Sequence, residues 1–207
     1  RKIEESLTFW RDLGVALSNF EELEIKKEDW ANVWKKYFDI IQISPKLAIK
    51  PSWLEYKPLP GQAVLEIDPG MSFGTGQHAT TFFCLQMIDE LTGKPEVKSM
   101  LDAGCGSGIL AIAASLLKYQ PIDAFDYDPD AVMIAKENFE LNHITDITPT
   151  VADAADYRGK QQYDLVCANI LGHLLKAYRK NISTWVRPGG VLVLAGILAT
   201  EFDSVRD

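Results

Sequence analysis

Five short apolar runs recur between Val97 and Gly196: "VKSMLDA", "PIDAFDY", "ITPTVA", "YDLVCAN" and "GGVLVLAG". Each is bounded by Gly, Pro, Asn or Asp, and helical patterns separate most of them. An alternation of this kind has few folded solutions. It predicts a parallel sheet covered on both faces, with ligands gathered just beyond the carboxyl ends of the strands. The expected fold is therefore α/β, a Rossmann-like doubly wound sheet with strand order 3-2-1-4-5.

Composition sets the outer limits. With 207 residues, 47% hydrophobic and 24% charged, the chain can bury one good core and a small satellite. No apolar run approaches the roughly eighteen residues of a membrane span, so no membrane partner is expected. Cys84, Cys105 and Cys167 lack any paired spacing, which suits a reducing compartment and predicts a cytoplasmic location. A net charge of −8 and a pI near 4.9 are the wrong sign for neutralising phosphates, so no direct nucleic-acid binding is expected.

Upstream, Leu7, Trp10, Leu13 and Leu17 recur at helical spacing and "FEELEI" alternates like a strand. "EDWANVWKKYF" sets Trp30, Trp34 and Phe38 on one helical stripe. "DIIQISPKLAIKPSW" holds two short apolar runs punctuated by Pro45 and Pro51, read as edge strands or a connector. A hinge is expected at "EYKPLPGQAV".

The chemistry-bearing positions follow the strand ends. "LDAGCGSGIL" gives Asp102, then Gly104, Gly106 and Gly108 ahead of a helix. Such a turn is either purely structural or allows a ligand close to the helix N-terminus. Its Gly-x-Gly-x-Gly spacing differs from the Gly-x-Gly-x-x-Gly of dinucleotide sites and suits a ligand without phosphates. Asp126 ends the second strand, where an acidic side chain takes ribose hydroxyls, and Asp128-Pro129 reads as a helix start. Asp153 accepts from an adenine amino group or merely caps a turn. Asn169 holds a substrate amine through its carbonyl or serves as an N-cap. No nucleophilic cysteine and no metal are expected.

Together these residues resemble a class I S-adenosylmethionine-dependent methyltransferase. With "DPGMSFGTGQHATT" added, the pattern "LDAGCGSGILAIAA", "FDYDP", "ANIL" and "PGGVLVLAGILA" is similar to the PrmA family, methyltransferases of large-subunit ribosomal protein eleven. Gln77 and Ala79 replace a Thr and a Pro usual in that family's loop. The resemblance implies that Phe73, Gly74, Thr75 and Gly76 line the methionine end of S-adenosyl-L-methionine. It further implies that Thr81 hydrogen-bonds the cofactor and that Gly104 and Asp126 take the family's glycine-loop and ribose positions; Asp102, Gly106 and Asp153 complete the expected cofactor-binding set. Asn169 then sits near the methionine moiety and the incoming amine. His78 either orients the sulfonium end, relays a proton, or fixes the loop through a backbone hydrogen bond.

The implied activity is N-methylation of lysine side chains, the N-terminal amine or both, on a large-subunit ribosomal protein. The alternatives are methylation of another protein or a small amine, or a non-catalytic ribosome-associated module. A base methyltransferase is disfavoured because "NILG" has no Pro-Pro-aromatic face. The expected division is residues 1–27 as a remnant of an N-terminal substrate-recognition domain, 28–61 as linker helix and connector, and 62–207 as the catalytic domain. The last strand pair usual in this fold is expected to be missing.

Overall fold

The computed structural model describes Lys35 and residues 38–68 and 78–206. Two compact units divide the chain, Arg1–Phe38 and Asp39–Asp207, and both sheets belong to the second. The patterns before Asp39 that include Trp30 and Trp34, and the loop residues Phe73 to Gly76, lie outside the described residues. The boundary at Asp39 falls inside the stretch expected as linker and connector, so residues 39–61 share a unit with the sheet that carries the site.

That sheet comprises β4 (Met100–Ala103), β5 (Ile122–Asp126), β6 (Thr150–Val151), β7 (Tyr163–Asn169) and β8 (Val186–Ala195). All pairings are parallel, in the order β6-β5-β4-β7-β8, the expected 3-2-1-4-5. Helix α1 (Ala79–Leu91) precedes β4, while α2 (Ile109–Leu116) and α3 (Pro129–Leu141) follow β4 and β5. Helix α4 (Gly172–Trp185) links β7 to β8, and α5 (Phe202–Arg206) follows β8. No helix among the described residues is long and apolar enough to cross a membrane.

The strands are apolar on both sides because both sides are covered. Met100, Ile122, Ala124, Leu165 and Cys167 enter one core with Leu85, Ile88, Ile112 and Phe139 of α1 to α3. Their neighbours Leu101, Ala103, Phe125, Val166 and Ala168 enter a second core with Leu175, Ile182 and Trp185 of α4. Within it Phe125 stacks on Tyr157 at 4.0 Å between ring centroids, and Trp185 meets both rings edge-on. Truncating Trp185 to Ala would remove the hub of that cluster, at a cost of about 3–5 kcal/mol.

Two runs differ in extent from the expectation. "ITPTVA" contributes only Thr150 and Val151, both exposed at the sheet edge. At the other edge β8 starts earlier, at Val186, because an edge strand tolerates Pro188.

A smaller sheet joins β1 (Ile41–Gln42), β2 (Leu47–Lys50) and β3 (Ala63–Glu66), with β1 antiparallel and β3 parallel to β2. β2 is central, not an edge, since Pro45 and Pro51 both lie outside it and leave its ladder intact. The expected hinge is also corrected. Gln62 is buried and accepts at Oε1 from the Tyr56 hydroxyl (2.7 Å) and the Leu59 N–H (3.0 Å). Its Nε2 donates to Gln42 Oε1 (2.9 Å) and the Ser44 carbonyl (3.1 Å), so the segment is stapled to the sheet. Ile43, Leu47, Ile49, Leu65 and Ile67 share the core of α1 to α3.

Candidate active site

Beyond Ala103 the chain folds back over the end of β5: the N–H groups of Gly104 and Cys105 both donate to the Phe125 carbonyl at 2.9 Å. Gly104 has φ +73°, and a Cβ there would lie 2.3 Å from Ile170 Cγ2. Only glycine meets both demands, so the loop after β4 packs directly on the residue after Asn169.

Asp126, buried at the end of β5, cross-links this loop to the next. Its Oδ2 accepts from the Gly106 N–H (2.8 Å) and its Oδ1 from the Asp128 N–H (3.0 Å). A carboxylate offers about four lone-pair sites, so each oxygen keeps a further acceptor site. Asp128 caps α3, its Oδ1 accepting from the Asp130 N–H at 2.9 Å, in agreement with the reading of Asp128-Pro129 as a helix start. Tyr127, between them, stands 73% exposed, an aromatic face beside the carboxylate that the sequence reading passed over.

Asp102 lies beneath the loop, 1% exposed, with Oδ2 accepting from the Ala111 N–H at 3.1 Å. Gly108 supplies no side-chain cap to α2, so this carboxyl satisfies a first-turn donor from below. Burial raises its pKa to about 7; the Ala111 bond opposes that rise and the nearby Asp126 charge adds to it.

Thr81 and Asn169 come together from opposite parts of the chain. Thr81 lies in the first turn of α1 and is 1% exposed. Asn169 ends β7, and its Nδ2 donates to Thr81 Oγ1 at 3.3 Å. Asn169 Oδ1 is withdrawn from solvent and has no hydrogen-bond partner among the described residues. It is not the N-cap of α4, a position held by Leu171.

His78 is the N-cap of α1. Its Nδ1 accepts from the Thr80 N–H (3.4 Å) and lies 2.8 Å from Thr80 Oγ1, so the ring fixes the turn that carries Thr81. Asp153 is exposed after β6, and its Oδ1 accepts from the Ala155 N–H at 2.8 Å, a turn-capping geometry. Of the expected set, Gly104, Gly106, Asp126, Thr81 and Asn169 thus converge on one end of the sheet. Asp102 acts on it through α2, and Asp153 occupies its neighbouring edge.

Burial is the leading cause of raised pKa at all three thiols, taking Cys84 to about 12 and Cys105 and Cys167 well above the usual range. They fill space and lack the thiolate character of a nucleophile. Among the described residues no group of three or more His, Cys, Asp or Glu is placed to hold a metal ion. Sequence reasoning missed Ile170, which separates the glycine loop from Gly196. A Cβ at Gly196 would lie 2.5 Å from the Ile170 carbonyl oxygen. Only the structure brings those three residues side by side.

The family described as ribosomal protein L11 methyltransferase (PrmA) matches residues 6–207. The chain is 42% identical over 204 residues to a ribosomal protein L11 methyltransferase of Geotalea daltonii, covering 94% of this chain and 64% of that one. Identity to the protein of the same name in Geobacter metallireducens is 43% over 183 residues, 88% of this chain and 59% of that one. The chain therefore spans about six tenths of the length of these curated relatives. The crystal structure of a ribosomal protein L11 methylase from Lactobacillus delbrueckii subsp. bulgaricus superposes with a TM-score of 0.72 at 31% identity, covering 82% of this chain and 85% of that one. This chain belongs to the ribosomal protein L11 methyltransferase (PrmA) family.

Proposed function

We propose that the protein transfers methyl groups from S-adenosylmethionine to amino groups of the large-subunit ribosomal protein for which its relatives are named. We assign the acceptors to lysine side chains, the N-terminal amine or both, and the reaction to the cytoplasm. The observation that carries the reading is the buried, unpartnered Oδ1 of Asn169. Leaving a buried acceptor unpaired costs roughly 1–3 kcal/mol, and a fold that keeps one at its ligand-facing edge holds it for a donor from outside.

The residues at the sheet end fit this cofactor. Asp126 retains acceptor sites for ribose hydroxyls, and the Gly104–Gly108 turn lets backbone rather than side chain face a nucleoside. Bound there, S-adenosylmethionine would supply an electrophilic methyl whose bond to the cationic sulfur breaks as the N–C bond forms, the electron pair remaining on a neutral thioether. Thr81 fixes the amide of Asn169 by taking its Nδ2, which leaves Oδ1 as the group that faces the amine. Oδ1 then accepts one N–H of the neutral amine and aims the nitrogen lone pair. As the nitrogen gains its methyl, the ammonium proton passes to water. His78 sets the start of α1, and hence Thr81.

Only a neutral amine attacks. Deprotonating a lysine of pKa about 10.4 near pH 7.4 takes about 4 kcal/mol, against about 0–1 kcal/mol for an α-amine. Desolvation and in-line orientation supply the remainder for lysine. The test is transfer of labelled methyl from S-adenosylmethionine to unmodified ribosomal proteins, with the products mapped by mass. Label on amines of one large-subunit protein is the expected result; absence of label on any protein amine would end this reading.

A further inference from the structure

Helix α3 contacts two parts of the site assigned to the nucleoside, Asp126 and the turn at Ser107 and Gly108. Its N-cap residue Asp128 donates its N–H to Asp126 Oδ1 at 3.0 Å. Ala135 and Phe139, in its middle turns, lie so close to Gly108 that a Cβ there would be 3.2 Å and 2.7 Å away, respectively. Between them Asn138 Nδ2 donates to the Ser107 carbonyl at 2.8 Å, gripping the loop at the residue before Gly108.

Its C-cap residue, Asn142, does something different. Asn142 Oδ1 accepts from the Glu66 N–H (2.8 Å) and Nδ2 donates to the Glu66 carbonyl (2.7 Å). Ala63 and Ile67 donate their N–H groups towards β2, so Glu66, one residue out of phase, presents its backbone to the free edge of β3. The carboxamide thus stands in for one residue of a missing neighbour strand and closes that edge. Asn142 Nδ2 also donates to the Asn138 carbonyl (2.8 Å), joining the two asparagines one helical turn apart.

We propose that Asn138 and Asn142 are positioning residues for cofactor binding. They make α3 a rigid spine that holds the small sheet, the Gly104–Gly108 loop and Asp126 in one register. The inference rests on the proposed function, because the loop positioned is the one assigned to the nucleoside. Neither side chain touches the cofactor; each acts through the backbone it holds. An exposed helical asparagine would leave the loop unaffected when replaced, whereas loss of Asn138 removes the bond to the Ser107 carbonyl and lets Gly106 drift from Asp126.

The test compares the wild-type protein with Asn138→Ala, Asn142→Ala and Asn138→Gln. Ser99→Ala serves as control, because its hydroxyl bonds Asp164 outside this network. Two quantities are read: amide hydrogen exchange of the Gly104–Gly108 loop without cofactor, and calorimetric affinity for S-adenosylmethionine. Asn138→Ala is expected to exchange at Gly106 and Gly108 about tenfold faster and to bind about tenfold more weakly, the size of one lost, partly buried hydrogen bond. Asn142→Ala moves both quantities in the same direction by a smaller factor, and Asn138→Gln, which keeps the carboxamide, recovers part of the affinity. Ser99→Ala lowers the unfolding temperature and changes neither reading.

Wild-type affinity in folded Asn138→Ala, or in Asn142→Ala should the former not fold, overturns the proposal. Equal weakening by Ser99→Ala does so as well, since the effect would then be general destabilisation. Wild-type protein that takes up no S-adenosylmethionine removes the proposed function instead, and the exchange rates still decide whether α3 braces the loop.

Discussion

Asn169 gives its amide N–H to the Thr81 hydroxyl at 3.3 Å, which leaves the carbonyl end of the same amide buried and unpaired. The pair joins the end of β7 to the first turn of α1 and decides which end of the amide is left unpaired among the described residues. Asn169→Ala is expected to lower kcat by about 100-fold with a much smaller change in cofactor affinity, because orientation of the amine is lost. Thr81→Val keeps the volume but releases the amide, and should lower kcat by about tenfold. Steady-state kinetics with a labelled methyl donor would check both; an unchanged kcat in Asn169→Ala would remove this residue from the mechanism.

Asp126→Asn replaces one carboxylate oxygen by an NH2 that must face the N–H of Gly106 or of Asp128. Charge-assisted bonds are worth about 1.5–3 kcal/mol, so cofactor affinity should fall at least tenfold, together with the unfolding temperature. Calorimetric titration with S-adenosylmethionine would measure the first and a thermal melt the second.

Asp102 should impose a pH dependence on stability. Burial raises its pKa from 3.8 to about 7, so across that window the folded chain holds a proton that the unfolded chain has released. Stability due to this group therefore declines as pH rises through the window and levels off above about 7, with a total change on the order of 2–4 kcal/mol. Asp102→Asn keeps an acceptor for Ala111 and should flatten the profile. Denaturant melts from pH 4.5 to 8 on both proteins would show it; parallel profiles would refute the assignment.

Asp164 predicts the opposite slope at low pH. Burial works against its charge, but the N–H groups of Ser99 and Lys98, the Ser99 hydroxyl and Arg187 hold its carboxyl well below the usual range. Its contribution is complete above the ordinary carboxylate pKa and is lost as pH falls below it. Arg187→Ala should cost about 1–2 kcal/mol at neutral pH and move the acid unfolding midpoint upward.

The thiols give a simpler check. Cys84, Cys105 and Cys167 are all free and buried. A charged disulfide reagent should therefore label no cysteine in the native protein and all three in denaturant. Rapid native labelling of Cys105 would show that the glycine turn opens more readily than its hydrogen bonds imply.

Strand order and the placing of Asp126 and Asp128 were legible because their signals are local: a glycine turn after an apolar run, and an Asp-Pro pair opening a helix. Gln62 was not, since its partners Gln42 and Ser44 lie about twenty residues upstream and a proline-rich segment looks like a hinge until its amide is paired. Asn138 and Asn142 escaped for a related reason. Asparagine on a polar helix face gives no sign of whether water or a distant backbone receives its hydrogen bonds. That the Asp102 carboxyl accepts from Ala111, on the helix that follows the glycine turn, gave no signal in the sequence either. The buried acceptor of Asn169 is visible only in three dimensions, because Thr81, which takes the Nδ2 end of the same amide, is 88 residues away.

Because the small sheet lends Leu47, Ile49 and Leu65 to the same interior that Ile112 and Ile88 occupy, it cannot be shaved off as an appendage. A minimal version starting at Ala79 would lay bare one wall of α1 and α2 and leave Asn142 gripping nothing. Anyone shortening this protein for crystallisation or display must cut before Asp39, not after Glu66.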